Sequence, residues 1–219
     1  MPGKDEKLYI VMIGLPARGK STLALRMQET FKRNQIPTRI FNNGNLRRQY
    51  RVADTSFADF YRPDNVEAVE LRRRFALINM QRAKAYLADK GQVAILDATN
   101  VSRERRALIE SELKDHPILY IECLNDDQDI LHLSILEKVK GPEFAHFSPH
   151  DAVNEFLKRI EYYEMIYSAL SPERNYIRMD SLHNRILEEK VVDAIPLYSR
   201  IRDFLVTDVV KNLKIADAG

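Results

Sequence analysis

The chain has 219 residues, enough to bury a substantial α/β core. Its 34 lysines and arginines against 32 acids leave a net charge of +2, which argues against a nucleic-acid partner. A single cysteine, Cys123, excludes a disulfide within the chain and fits a reducing compartment.

Strand-like and helical patterns alternate along the chain. Residues 8–13 (LYIVMI) form a short continuous apolar run, as a strand buried on both faces should. Helical spacing follows over 20–33, then a strand over 37–42 introduced by proline. The longest helical pattern, alanine-rich, covers 65–89 and precedes a second buried strand over 92–97 (QVAILD). Helical spacing over 102–115, a strand over 117–124, and helices over 126–137 and 149–167 come next. A late strand over 176–180 and a helix over 196–212 complete the pattern, and the tail 213–219 is expected to fray. This alternation predicts a mostly parallel sheet with helices on both faces, in one domain with its core over about 8–207 and short flexible ends. No apolar run is long enough to span a membrane, and the charged start MPGKDEK does not resemble a signal peptide, so no membrane association and a cytoplasmic location are expected.

The sharpest motif is Gly14-Leu15-Pro16-Ala17-Arg18-Gly19-Lys20-Ser21, which fits G-x-x-x-x-G-K-[ST]. The glycines let successive backbone N–H groups turn toward an anion, and the following helix adds its positive end. Lys20 can reach the β- and γ-phosphates of ATP, and the Ser21 hydroxyl can ligate Mg²⁺. A chance glycine-rich turn is the alternative, but this motif follows a buried strand and opens a helix. Asp97 ends the second apolar strand, where a carboxylate can hold the metal or accept a proton from an attacking hydroxyl.

Arginines cluster near the presumed strand ends: Arg47 and Arg48, Arg62, Arg103, Arg105 and Arg106, with Arg159 further along. Guanidinium groups suit phosphate through paired charge-assisted hydrogen bonds, and ligands of open parallel sheets sit beyond the carboxyl ends of the strands. An anionic acceptor such as a phosphate ester follows. The alternative is a solvated surface, preferred for Arg72, Arg73 and Arg74 within the long helix. His146 and His150 stand four apart with Pro149 between them, and the five histidines show no metal-ligand spacing. No Ser/His/Asp order is evident.

Taken together, GLPARGKS, FNNGNLRRQY, YRPDN, DATNVSRERR and FLKRIEYYE resemble the kinase domain of the bifunctional 6-phosphofructo-2-kinase/fructose-2,6-bisphosphatase enzymes, from about residue 8 to 205. The Arg-His-Gly signature of their phosphatase domain is absent from this sequence, so a free-standing kinase module is expected. The resemblance implies a P-loop kinase fold and ATP-dependent phosphorylation of the 2-hydroxyl of fructose 6-phosphate, giving fructose 2,6-bisphosphate. By motif position, Arg47, Arg62, Arg105 and Arg159 would bind the sugar phosphate, with Thr99 and Tyr163 on the sugar. Residues Gly14 to Ser21, with Thr22 beside them, would hold ATP, and Ser21 and Asp97 the Mg²⁺. A family lysine that reaches the transferred phosphate falls at Lys138 or Lys140.

The sequence departs from the family pattern at three places. Ser21 stands for a threonine, Asn125 for a cysteine near the nucleotide, and NGNLRR for VGEYRR. A different acceptor, either another sugar phosphate or a polynucleotide 5′-hydroxyl, and a nucleotide-binding regulatory module without turnover are the rival readings. Oligomeric state, including a homodimer, is left open.

Overall fold

The computed structural model describes residues 6–50, 54–171 and 173–207. Strands β1 (Leu8–Ile13), β2 (Thr38–Asn42), β3 (Val93–Asp97), β4 (Ile118–Leu124), β5 (Asn175–Asp180) and β6 (Arg185–Val191) form one sheet in the order 2-3-1-4-5-6. The first five are parallel, and β6 pairs antiparallel with β5.

Both faces are covered, and the alternation along β1 shows how. Ile10 and Met12 point into a core closed by α1 (Lys20–Arg33) and α7 (Tyr198–Thr207), through Leu23, Met27, Phe31, Ile201 and Phe204. Tyr9, Val11 and Ile13 point the other way, against Ala76, Met80, Ala83 and Leu87 of α3 (Val66–Ala88) and Ile109 of α4 (Arg103–Glu112). Those α3 residues recur at helical spacing, so one stripe of that helix lies on the sheet. A smaller cluster joins α5 (Gln128–Val139) and α6 (Pro149–Met165) through Ile135, Phe156 and Ile160, and it includes Ala17 of the glycine-rich loop.

Side chains fix where these helices begin. Asn65 accepts the Ala68 N–H at 3.1 Å before α3, Ser102 accepts the Arg105 N–H at 3.1 Å before α4, and Asp127 caps α5. Ser148 accepts from Asp151 N–H at 3.1 Å, with Pro149 as the first residue of α6.

Four elements lie outside the sequence expectation, two of them the short 3₁₀ turns Ala58–Tyr61 and Pro142–Phe144. Residues 43–50 form a helix, α2 (Asn43–Tyr50), started by Asn42 Oδ1 accepting the Asn45 N–H at 2.8 Å. Its glycine, two asparagines and lack of an apolar stripe concealed it. Strand β6 was missed because its edge position leaves RILEEKV largely wet and charged. The expected continuation of the last helix to 212, the fraying tail and the flexible ends fall on residues outside those described.

Candidate active site

The glycine-rich loop leaves β1 at Gly14 and enters α1 through Gly19. Gly14 has φ 150°, and a Cβ there would lie 2.7 Å from the Cys123 carbonyl oxygen, so the loop passes against β4 with no room for a side chain. Gly19 is left-handed at φ 79°. Three bonds anchor the loop: Gly14 N–H donates to Thr99 O at 3.0 Å, Asn100 Nδ2 to Met12 O at 2.9 Å, and Ser181 Oγ to Arg18 O at 2.8 Å. The loop is thereby stitched to the segments following β3 and β5.

Lys20 is buried, and its ammonium donates to Leu15 O at 2.6 Å. Burial pushes its pKa down to about 8, against the pull of Asp97 and Cys123. Asp97 ends β3 and is buried. Its Oδ2 accepts Asn42 Nδ2 at 2.6 Å across the strand pair. Burial also raises the Cys123 thiol, to about 12, so it is an inert strand residue beneath the loop.

A cavity of about 1370 Å³ opens beyond these strand ends. Seven arginines and two lysines line it among the described residues, against four carboxylates, so it favours polyanions. Pro16 to Thr22, Asp97, Thr99 and Lys138 form one side. Arg47 of α2, Arg72 of α3, Arg105 of α4, and Arg159 with Tyr163 of α6 form the other.

Glu143 organises part of that second side. It accepts from Arg47 Nη2 at 2.5 Å, Arg48 Nη1 at 3.3 Å and Arg159 Nη1 at 3.4 Å. Arg47 also bonds the Tyr61 hydroxyl, and the Arg159 guanidinium lies 4.1 Å from the Tyr61 ring centroid. Burial raises the Tyr61 pKa to about 12 although both arginines oppose the rise, so the hydroxyl stays protonated and donates to Thr55 O at 3.0 Å. Arg47 Nε and Arg159 Nε are buried with no hydrogen-bond partner, which leaves donor capacity in the wall.

The structure thus brings together Lys20, Ser21, Asp97, Thr99, Lys138, Arg47, Arg105, Arg159 and Tyr163. Gly14 and Leu15 serve through backbone, one as the turn and the other as acceptor for Lys20. Besides Gly14 and Leu15, three expected residues do not line the cavity. Arg62 is 45% exposed and held by Asp64 at 2.7 Å and Asp59 at 3.1 Å. Lys140 is 68% exposed and paired with Glu137. Asn125 turns its Oδ1 back to the Asp127 N–H at 3.0 Å, leading into α5.

Three arginine readings change, one of them at Arg73, which was expected on the solvated face of α3 and lines the cavity while staying 49% exposed and 4.0 Å from Glu70. Arg72 was expected on the solvated face of α3, yet it lines the cavity, with its guanidinium 5.8 Å from the Tyr61 centroid and donating to Phe60 O. Arg106, weighed as a phosphate ligand, is fully buried. It pairs with Glu173 and donates to Val101 O at 2.8 Å and Ser168 O at 3.0 Å, bracing the segment after β3. Asn42 and Tyr61 fall within FNNGNLRRQY and YRPDN but have no role assigned there, and Glu143 lies outside the quoted motifs; the fold brings all three to the site.

The donor set suits Mg²⁺. A hydroxyl from Ser21 and a carboxylate from Asp97 are hard oxygen ligands on one wall, and no cage of three or more acidic, histidine or cysteine ligands occurs among the described residues. A magnesium ion bridging nucleotide phosphates takes few protein ligands, which matches.

A family model described as 6-phosphofructo-2-kinase matches residues 1–212. The human protein 6-phosphofructo-2-kinase/fructose-2,6-bisphosphatase 3 is 36% identical over 195 residues, covering 85% of this chain and 37% of its own length. The mouse protein 6-phosphofructo-2-kinase/fructose-2,6-bisphosphatase 1 is 34% identical over 194 residues, covering 85% of this chain and 41% of its own. The chain therefore spans about two fifths of the length of these curated relatives. Among solved structures, Chaetomium thermophilum Kti12 in complex with ADP-AlF3 superposes with a TM-score of 0.51 at 16% identity. That match covers 78% of this chain and 88% of Kti12 and speaks to the fold alone, a P-loop α/β sheet. On the strength of the family match and the curated relatives, this chain belongs to the 6-phosphofructo-2-kinase family.

Proposed function

We propose that the chain transfers the γ-phosphoryl group of ATP to the 2-hydroxyl of fructose 6-phosphate, producing fructose 2,6-bisphosphate and ADP. The observation that carries this reading is that Arg47, Arg105 and Arg159 share one cavity with the phosphate loop and Asp97. A cavity with a nucleotide side and a second cationic side suits two phosphorylated substrates, and membership of the family supplies the sugar.

The loop N–H groups and Lys20 bind the β- and γ-phosphates, drawing Lys20 off the Leu15 carbonyl. Ser21 and Asp97 would hold Mg²⁺, which supplies neutralisation of phosphate charge. Arg47, Arg105 and Arg159 grip the 6-phosphate, with Thr99 and Tyr163 against the sugar, so that the 2-hydroxyl faces the γ-phosphorus. Arg62 joins them only by leaving Asp59 and Asp64. The 2-oxygen then bonds to phosphorus as the β–γ bridging bond breaks, ADP leaves, and the hydroxyl proton passes to Asp97. Lys138, on the cavity wall, stabilises the transferring group, whereas Lys140 is occupied by Glu137.

The test is ADP release from Mg·ATP with and without fructose 6-phosphate, followed by acid hydrolysis of the product. Sugar-dependent turnover to an acid-labile phosphate supports the reading. Nucleotide binding with no turnover on this sugar discards the acceptor and keeps the phosphate loop.

A further inference from the structure

The second side of the cavity carries more positive charge than its carboxylates cancel. Among the described residues, Arg47, Arg48 and Arg159 share the single carboxylate of Glu143. Arg47 is 6% exposed and Arg159 15%, so water does little for the charge that remains. What faces both is Tyr61, a buried residue at the end of the 3₁₀ turn Ala58–Tyr61. The Arg159 guanidinium lies 4.1 Å from its ring centroid and that of Arg47 5.5 Å, and Arg47 also donates to its hydroxyl. The hydroxyl gives its own proton to Thr55 O at 3.0 Å, which leaves a lone pair for Arg47. The ring is itself held in place. Glu155 of α6 accepts the Ala58 N–H at 2.6 Å, and the Tyr163 ring packs against Tyr61 with centroids 5.7 Å apart.

A ring and a carboxylate act differently on a buried cation. A second carboxylate beside Arg47 and Arg159 would cancel their charge and repel a phosphate. A π face and a phenol oxygen stabilise the same guanidiniums and leave their positive field intact. We propose that Tyr61 is a positioning residue for the acceptor: its hydroxyl holds Arg47 and its ring holds Arg159, in place and without neutralising them, for a phosphate ester. The proposal deepens the function set out above and rests on the acceptor being a phosphate ester. The groups that Tyr61 touches in this way all lie on the second side of the cavity, away from Lys20 and the phosphate loop. Its role is therefore confined to the acceptor and leaves nucleotide binding alone.

The test is calorimetric titration of the full chain with fructose 6-phosphate, with inorganic phosphate, and separately with Mg·ADP. The variants are Tyr61→Phe, Tyr61→Leu and, as a packing control, Tyr162→Leu. Phenylalanine keeps the π face without the hydroxyl, and leucine removes both. Tyr162 packs on the same small apolar cluster but does not line the cavity. The expected result is that Tyr61→Phe weakens sugar-phosphate binding roughly 3- to 10-fold and Tyr61→Leu roughly 10- to 100-fold. Inorganic phosphate follows the same order, Mg·ADP affinity holds in both, and Tyr162→Leu binds all three as the parent chain does. Unchanged sugar-phosphate binding in Tyr61→Leu overturns the proposal. So does a loss in Tyr61→Leu that falls equally on Mg·ADP with a lowered Tm, or one that Tyr162→Leu reproduces, since either marks Tyr61 as packing alone. A parent chain that binds neither fructose 6-phosphate nor inorganic phosphate overturns it as well. If inorganic phosphate binds in a Tyr61-dependent way but fructose 6-phosphate is not turned over, the sugar assignment fails while the role of Tyr61 stands.

Discussion

Asn42 and Asp97 stand opposite each other at the carboxyl ends of neighbouring parallel strands, with the amide Nδ2 donating to the carboxylate Oδ2 at 2.6 Å. The bond fixes one oxygen of a carboxylate that lines the cavity. Asn42→Ala is expected to lower kcat about 10-fold or more, the usual cost of losing a residue that orients a ligating carboxylate. The KM for the sugar should change far less. Steady-state kinetics separates the two; a change confined to KM would move Asn42 to the acceptor side.

Lys20→Ala should reduce turnover by about 1000-fold or more, since it removes charge from the β- and γ-phosphates. The wild-type lysine also gives a pH signature. Its pKa in the free protein is pushed down to about 8 by burial, and a bound polyanion restores the charge. Nucleotide binding above pH 8 therefore takes up a proton, and affinity falls as pH rises from there toward the ordinary lysine value. Calorimetry at pH 8.5 in buffers of different ionisation enthalpy reads the uptake directly. Zero uptake would mean that Lys20 is already charged.

Gly14→Ala places a methyl group 2.7 Å from the Cys123 carbonyl oxygen at φ 150°. The expected cost is about 2 kcal/mol or more, seen as a Tm drop of roughly 5 °C, with loss of nucleotide affinity as the loop shifts off β4. An unaltered Tm would show that the loop has slack there.

Arg106→Ala should behave as a folding mutation. It strips the cationic partner from buried Glu173 and removes the side-chain donor of the Ser168 carbonyl, at about 3 to 5 kcal/mol. Chemical denaturation should show the loss, while KM for the sugar, measured on the folded fraction at low temperature, stays near wild type. A selective rise in that KM would return Arg106 to the substrate site.

Lys138→Ala and Lys140→Ala discriminate the two candidates for the transferred phosphate. The first should lower kcat by about 100-fold, as loss of a transition-state cation does, and the second by less than about twofold. Equal effects would mean that the Lys140–Glu137 pair opens during turnover.

The parts of the site that could be read from sequence are those whose chemistry is contiguous. Gly14 to Ser21 and Asp97 sit on strand ends that their own apolar runs announce, and five of the six strands were marked by the same runs. Residues that act across the fold could not be read this way. Arg72, Arg73 and Arg74 are one uninterrupted basic run, and only the 100° step between helical neighbours brings the first two to the cavity and turns the third away. Glu143 becomes a hub because α2 and α6 converge on it, and α2 itself has no apolar periodicity to reveal it. Arg62 shows the reverse case, a motif residue whose immediate neighbours Asp59 and Asp64 bind its guanidinium first.

Ala17 sits at the turn of the phosphate loop, yet its methyl group belongs to the apolar cluster of Phe156 and Ile160, the residues flanking Arg159 on α6. A dense cluster transmits displacement because its atoms have nowhere to relax. Any movement of the loop as it closes on a nucleotide therefore reaches the helix that carries Arg159. Thermodynamic reciprocity then fixes the form of the coupling: whatever factor one substrate applies to the other's dissociation constant is returned unchanged in the opposite direction.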